Sequence, residues 1–529
     1  MPDGEEQSLG KRAAKVLYST LIGKVYSVLA AGITFIVVAR LLGPAAYGAY
    51  TFALGFSTLL GSANHFGIGT YFNKYISEYL ERREYKKLAN CLSSGYAILL
   101  PVSVVLSLMG IALSGYLSST YFVSSEVSAL TLALAAATIA FFMLYGASYS
   151  ALVGFSRGGL ASIVLFVVNT TMLVLSVAFV LAGFGANGAI AAIIIANAVG
   201  FLLGLYYVYT TTRAYRELRF NIPSKEEVWN VLKFALPVAA NNMLTLGMSN
   251  FAVIFLGLYV SNALLGNYGT AAKGFSMMMV FYGTLTTVLI PTFSAALARR
   301  TRHGSNRDIS VVYNKVLFFS MLLTVPIAVY IAVFARPLIF VFITAKYAQA
   351  PLYLSLIAIG MTISMIGTYT GSLLVGAGRI LNLLKYTVVA SIAEFAAILF
   401  LVPRIGALGN IFALFFVGSM VSAALNVNGV RNIFGVRFAY KRVAMLLLSN
   451  LFVGILLLPV LTFLHSLVLQ IVIGAAALFI LYPLALVLLR AINSRDIDML
   501  GNSTKRIPVL TLFMSPMLRY VSLLMSYRG

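Results

Sequence analysis

Four ionisable side chains stand inside stretches of sequence otherwise nearly free of charge: Lys24, His65, Lys273 and Glu394. A charge at the centre of an apolar membrane segment costs about 2.5–3.5 kcal/mol on insertion scales, so such groups usually face a wet cavity or a partner. Lys24 and Lys273 are cations near neutral pH. Around the first, Thr20, Ser27 and Thr34 recur at spacings that put one polar stripe on a helix. Thr51, Thr58, Ser62 and His65 stack the same way in the next segment. Further on, Asn242, Thr245 and Ser249 make a third stripe, and Thr270, Lys273, Thr284 and Thr287 a fourth. Converging, these stripes would line a cavity with a cationic centre and many hydroxyl and amide partners. That chemistry holds an anion; an organic cation calls for carboxylates and aromatic rings.

Each residue also has a plainer use. Lys24 and Lys273 lie close enough to the expected ends of their segments to snorkel to an interface. His65 can be a satisfied polar residue between helices. Glu394 can neutralise a buried lysine or bond a neighbouring helix, or it can couple to proton or sodium exchange. Hydroxyl stripes can serve helix packing alone.

The segments themselves follow from composition. Of 529 residues, 61% are apolar and 10% charged, against roughly 25% charged in a soluble globular domain. Residues 158–212 and 443–489 contain no Asp, Glu, Lys or Arg, each enough for two membrane spans. The length accommodates about fourteen spans. Those carrying the four residues are expected at 16–38, 46–72, 264–297 and 381–402, with 231–258 between them. The first follows Lys11, Arg12 and Lys15, is too long for a signal peptide's apolar region and contains Lys24, so it reads as an uncleaved helix. With the N-terminus inside, 31 of the 37 basic residues fall in inner loops and tails, and only Arg40, Arg336, Lys346 and Arg404 fall outside. That asymmetry is the positive-inside pattern and puts both termini in the cytoplasm. It also explains the net charge of +23 without nucleic acid. One cysteine, Cys91, excludes an intramolecular disulfide framework and a thiolate metal cluster, and three histidines scattered in sequence argue against a His-ligated metal site.

The chain repeats itself at an offset of 221–223 residues. Ser150-Ala-Leu-Val-Gly-Phe-Ser-Arg157 returns as Ser372-Leu-Leu-Val-Gly-Ala-Gly-Arg379, and Gly185-Ala-Asn-Gly188 as Gly406-Ala-Leu-Gly409. Leu42-Gly43 with Tyr47-Gly48 is echoed by Leu265-Gly266 with Tyr268-Gly269. Six spans separate equivalent points, so the two halves share one orientation. The fold class that follows is all-α: a polytopic membrane protein of two parallel six-helix lobes plus two C-terminal helices. The expected boundaries are 1–212 and 231–430 for the lobes, 213–230 for a cytoplasmic linker, 431–490 for the added pair and 491–529 for a cytoplasmic tail. Rocking two such lobes exposes one cavity to each side in turn.

Ala39-Arg-Leu-Leu-Gly-Pro-Ala-Ala-Tyr-Gly48, just after the first span, resembles the R-x-L-G-P-x-x-Y-G signature of the polysaccharide transporter family. These are flippases of O-antigen type for lipid-linked oligosaccharides. They are relatives of multidrug extruders and peptidoglycan-precursor flippases in the multidrug/oligosaccharidyl-lipid/polysaccharide exporter superfamily. With its spans and duplicated halves, the resemblance covers about residues 10–490. It implies a multi-pass protein of the inner (cytoplasmic) membrane that carries a sugar chain on a polyprenyl phosphate or diphosphate to the outer leaflet. The expected substrate-binding residues are Lys24, Lys273, His65, Ser27, Asn242 and Thr245, with Glu394 the coupling candidate. No catalytic residue, metal or cofactor is expected beyond proton or sodium coupling, and a single chain can enclose the pathway. The rival on the same fold is an exporter of drugs or organic cations, which predicts acidic residues in the N-terminal spans. The sequence places only Glu394 deep.

Other signals are weaker. Asp496 and Asp498 have the spacing of a metal-binding D-x-D but sit in a short tail, and the sequon Asn502-Ser-Thr504 is expected inside, where it is silent. Residues 507–526, interrupted by Pro508, Pro516 and Arg519, read as a surface helix rather than a further span.

Overall fold

The computed structural model describes residues 3–62, 65–121, 127–213, 215, 222–277, 293, 306–493, 496–497 and 520–524, and side chains of the first helix from Gly23. Every element among them is helical. In chain order they are α1 (Asp3–Leu60), α2 (Ile68–Glu81), α3 (Tyr85–Tyr121), α4 (Ala129–Gly154), α5 (Gly158–Phe179), α6 (Gly185–Arg213), α7 (Lys225–Asn242) and α8 (Met248–Gly257). Then follow α9 (262–277), α10 (Asn306–Val333), α11 (Ala335–Phe342), α12 (Ala350–Gly376), α13 (Ile380–Ile411), α14 (Ser419–Phe434), α15 (Tyr440–Phe463) and α16 (Leu467–Leu488). The chain forms two compact units, Met1–Thr270 with Val402–Asn410, and Ala271–Leu401 with Ile411–Gly529.

Ten helical stretches are long and apolar enough to cross a membrane. Three of them, Gly23–Leu60, Gly158–Arg213 and Ile380–Phe434, hold two expected spans each. They break where the backbone leaves helical geometry, at Gly43, at Gly183 and Gly185, and at Ile405 and Gly406. The eighth expected span is described only to residue 277. The protein is therefore the all-α, multi-pass membrane protein of about fourteen helices that the sequence predicts.

Local chemistry explains the boundaries. A capping box opens α7: the Ser224 hydroxyl accepts from Glu227 N–H at 3.3 Å, and the Glu227 carboxylate accepts from Ser224 N–H at 2.7 Å. Between α15 and α16 the Gln470 amide donates to Leu461 O (3.1 Å) and Leu464 O (2.7 Å), satisfying carbonyls that the end of α15 leaves orphaned.

The duplication is visible in the backbone. After α4, Phe155, Ser156 and Arg157 N–H donate to Ala151, Val153 and Leu152 O at 2.9 Å each. After α12, Ala377, Gly378 and Arg379 repeat the pattern onto Leu373, Val375 and Leu374 at 2.9, 3.0 and 2.8 Å. Ser156 (φ 57) and Gly378 (φ 71) are both left-handed, as this cap requires. Gly185 (φ 54, ψ −138) and Gly406 (φ 57, ψ −128) match as well.

One expectation is corrected. The second span is not continuous over 46–72: α1 ends at Leu60 and α2 begins at Ile68, with a turn of 3₁₀ helix at His65–Gly67. Phe66 (φ 50) and Gly67 (φ 72) are successive left-handed residues, which no α-helix can absorb. A hydropathy reading averages over such a break.

Candidate functional site

The first polar stripe divides. Ser27 faces α5, where its hydroxyl accepts from the Asn169 amide at 3.1 Å, beside a 2.7 Å bond between Tyr26 and Thr170. Thr34 is buried and donates to Ala30 O at 2.8 Å. Lys24 is exposed and has no ion pair among the described residues. Thr20's side chain lies outside the described residues. Thus two of the stripe's hydroxyls are engaged within the protein, while the cation is exposed.

The second and third stripes meet. Ser62 is buried, and a Cβ built on Gly247 would lie 3.4 Å from its hydroxyl. Thr51 donates to Tyr47 O at 2.8 Å, and Thr58 is exposed. The side chain of His65 lies outside the described residues; its backbone occupies the break between α1 and α2. Gly67 in that turn lies against α7, with its would-be Cβ 2.4 Å from Ala235 O.

Between α7 and α8 the helix widens into a π turn, Met243–Gly247. Asn242 precedes it, half-buried, and Thr245 sits within it, exposed. Such turns loosen the i to i−4 ladder and recur at functional sites. Here the Thr245 hydroxyl donates to Asn241 O (3.0 Å) and Asn242 O (3.3 Å), carbonyls at the start of the widened turn. Two other π turns occur among the described residues: Val180–Phe184 follows α5, and Phe412–Gly418 follows α13. Glu394 of α13 packs on the turn at Phe412–Gly418: a Cβ at Gly418 would lie 2.8 Å from Glu394 Oε2. The Glu394 side chain is half-buried and has no hydrogen bond or ion pair among the described residues. Sequence periodicity gives no sign of these π turns, yet those at Met243–Gly247 and Phe412–Gly418 each adjoin a residue selected for its chemistry.

Lys273 lies on α9, exposed, one turn beyond the buried Thr270, whose hydroxyl has no partner among the described residues. Thr284 and Thr287 fall outside the described residues. Lys24, Ser27, Asn242 and Thr245 belong to the first compact unit, and Lys273 and Glu394 to the second. Among the described residues no cluster of three His, Cys, Asp or Glu is placed to hold a metal.

The signature residues 39–48 form a packing joint. A Cβ on Gly48 would sit 1.8 Å from Asn262 O, and one on Gly266 would sit 1.9 Å from Pro44 O. The two backbones touch. Further along, Gly55 meets Val253, its Cβ position 3.1 Å from Cγ1, and Gly247 meets Ser62. As the chain runs forward through 48, 55 and 62, the facing segments run back through 262, 253 and 247, so the seam is antiparallel, with glycines at 48, 55, 247 and 266 allowing the close approach.

The sequence profile of the polysaccharide biosynthesis protein family matches residues 13–297, more than half of the chain. The chain belongs to that family. The match contains the joint, the π turn at Met243–Gly247 and both lysines. Comparison with curated proteins gives no match. Among solved structures, the chain is similar to the lipid II flippase MurJ in an inward closed conformation: TM-score 0.69, 14% identity, covering 88% of this chain and 98% of that one. It is also similar to an inward-facing MATE-family multidrug resistance transporter of the MOP superfamily, with TM-score 0.63, 17% identity and coverage of 77% and 94%. A MOP-superfamily transporter from Pyrococcus furiosus, described as having a binding pocket of reversed polarity, aligns at TM-score 0.56 and 17% identity over 80% and 96%. At these identities the structures establish a shared fold.

Proposed function

We propose that this protein is a flippase that carries an oligosaccharide linked to polyprenyl phosphate or diphosphate from the cytoplasmic to the outer leaflet of the cytoplasmic membrane. The observation that carries the reading is the polarity of the spans in a member of this family. Lys24 and Lys273 are exposed on their helices, and Glu394 is the only carboxylate that the sequence places deep in an expected span. The family supplies the glycan context and the cations supply the affinity for a phosphate head. In this reading the substrate enters from the inner side, Lys24 and Lys273 hold the phosphate, and Ser27, His65, Asn242 and Thr245 border the path of the sugars. The lipid tail stays in the bilayer, and alternating access completes the transfer. Glu394, on its π turn, is the group through which proton or sodium exchange acts. Both termini lie in the cytoplasm, where the basic loops collect, and one chain suffices.

Purified protein in liposomes, with a fluorescent lipid-diphosphate oligosaccharide, tests this directly. Translocation that requires the protein and is lost in the folded Lys24→Gln/Lys273→Gln variant is the expected result. Translocation unchanged in that variant refutes the anion site. Transport of organic cations in place of the lipid hands the fold's other use, drug export, to this chain.

A further inference from the structure

Where α15 begins and α16 ends, the second unit holds an open cleft of about 480 Å³ lined by Phe438, Tyr440, Lys441, Arg442, Arg490 and Asn493. Its walls are already fixed. The Asn314 amide of α10 donates to Arg437 O at 2.8 Å and accepts from Ala439 N–H at 2.9 Å, which staples the segment before α15. The Arg442 guanidinium lies 4.0 Å from the centre of the Phe318 ring and pairs with Asp496. The Asp496 carboxylate also accepts from Asn493 N–H at 3.0 Å, tying the residues after α16 to α15. The charge of Arg442 is therefore neutralised within the protein. Lys441 and Arg490 are exposed and have no ion pair among the described residues, so the cleft has an uncompensated positive charge.

Arg490 is held there at a conformational cost. Its φ is 54, in the left-handed region, within the cap that closes α16: Leu489 N–H donates to Ala485 O at 3.0 Å and Ala491 N–H to Leu486 O at 2.9 Å. The corresponding cap after α12 uses Gly378, the residue to which that conformation is easiest. An arginine at such a position, with its guanidinium lining a cleft, is the kind of outlier from which function is inferred.

Both α15 and α16 are long and apolar enough to cross a membrane, and the cleft sits at their shared end. It therefore lies at a boundary between hydrocarbon and water. The Tyr440 ring is 65% exposed, as expected of an interfacial aromatic belt. From the cleft toward mid-span, Leu448 and Leu451 of α15 and Leu488 of α16 continue as exposed apolar surface. A water-soluble phosphate has no use for that surface, whereas acyl or prenyl chains do.

We propose that this cleft binds the phosphate headgroup of a membrane lipid, with Lys441 and Arg490 on the phosphate oxygens and the chains along α15 and α16. The site shares no residue with the proposed Lys24 and Lys273 anion site. A glycerophospholipid of the surrounding leaflet and a polyprenyl phosphate present the same chemistry. Native mass spectrometry of the full-length protein released from phosphatidylcholine micelles distinguishes them, with dioleoylphosphatidylglycerol, undecaprenyl phosphate and inorganic phosphate added separately. The expected result is one retained anionic lipid, with affinity at least tenfold weaker in Lys441→Gln and in Arg490→Gly. Retention of phosphatidylglycerol makes the occupant a bilayer lipid, and retention of the polyprenyl phosphate alone makes it the carrier. Arg490→Gly is further expected to melt no lower than wild type, because glycine relieves the left-handed position. Equal lipid retention by wild type and both variants overturns the proposal, as does inorganic phosphate binding as tightly as either lipid. Neither result bears on the Lys24 and Lys273 assay.

Discussion

Substituting alanine for Gly48 tests whether the family signature is a joint. The new Cβ would lie 1.8 Å from Asn262 O and 2.6 Å from its carbonyl carbon. Carbon and oxygen at rest stand more than 3 Å apart, so the two helices must part by over an ångström (about 1.2 Å or more). Both partners are main chain, and no rotamer change relieves the clash. The reciprocal contact, Gly266 against Pro44 O, moves with it. Overpacking against side chains costs about 1–3 kcal/mol, and backbone against backbone belongs at the upper end. Alanine returns up to about 1 kcal/mol of helix propensity. The net destabilisation expected is roughly 2 kcal/mol, a fall of about 4–8 °C in melting temperature for a unit of this size. Thermal stability of detergent-solubilised protein, followed by size-exclusion chromatography, provides the measurement. Gly115→Ala on α3 is the control, because nothing lies within 4 Å of its Cβ position. Gly43→Ala separates a second cause: its Cβ position is equally open but φ is 72, so any loss there is conformational. If Gly48→Ala melts within a degree of wild type, the joint is not as close as described and the argument fails.

Further outcomes follow from individual contacts. Ser156→Gly puts glycine where the repeat already has Gly378, and stability should rise by about 0.5–1 kcal/mol, read as a higher melting temperature. Asn410 is fully buried with neither amide atom partnered among the described residues; Asn410→Leu should stabilise by about 1 kcal/mol or more, and a loss would mean the amide is satisfied by water. Removing Arg442 alone leaves the Asp496 carboxylate, 7% exposed, without its cation. Arg442→Met should therefore cost about 3 kcal/mol, and adding Asp496→Leu should recover most of it in a double-mutant cycle. Gly418→Ala would place a methyl 2.8 Å from Glu394 Oε2 and displace the carboxylate; in the liposome assay under an imposed ion gradient it should weaken the response to that gradient as Glu394→Gln does, without loss of folded protein.

The membrane fold was legible because its determinants are one-dimensional. Spans follow from runs without charge, and the duplication follows from Ser150–Arg157 and Ser372–Arg379, whose backbones adopt the same cap. What was not legible depends on who faces whom. Ser27 and Thr34 looked like equivalents of Lys24 at helical spacing, yet one bonds Asn169 and the other bonds its own helix. The break at His65–Gly67 escaped because Phe66, a residue with no preference for left-handed geometry, occupies it. The π turns escaped for a related reason: a single inserted residue leaves composition and hydropathy untouched. The joint at Gly48 and Gly266 was visible as a motif but not as a contact, since repetition marks ancestry and says nothing of adjacency.

The charge inventory also constrains how transport would be driven. Moving one negative charge outward across about 100 mV, inside negative, is favourable by roughly 2.3 kcal/mol, and a diphosphate with two charges gains about twice that. This exceeds the 1.4 kcal/mol that separates tenfold populations, so the membrane potential alone can bias the cycle. Glu394 is then unnecessary to the driving force, and its place against Gly418 has to matter in another way if it matters at all. A carboxylate that binds a proton or sodium ion changes the net charge moved per cycle. Electrogenic translocation, measured against imposed potential with and without ion gradients, separates the two contributions. Both wild type and Glu394→Gln should respond to potential, with a dependence that differs by the charge the coupled ion carries, and only wild type should respond to the ion gradient. Identical responses to both would reduce Glu394 to a packing residue, while loss of the potential dependence would mean that the cargo is not the charge that moves.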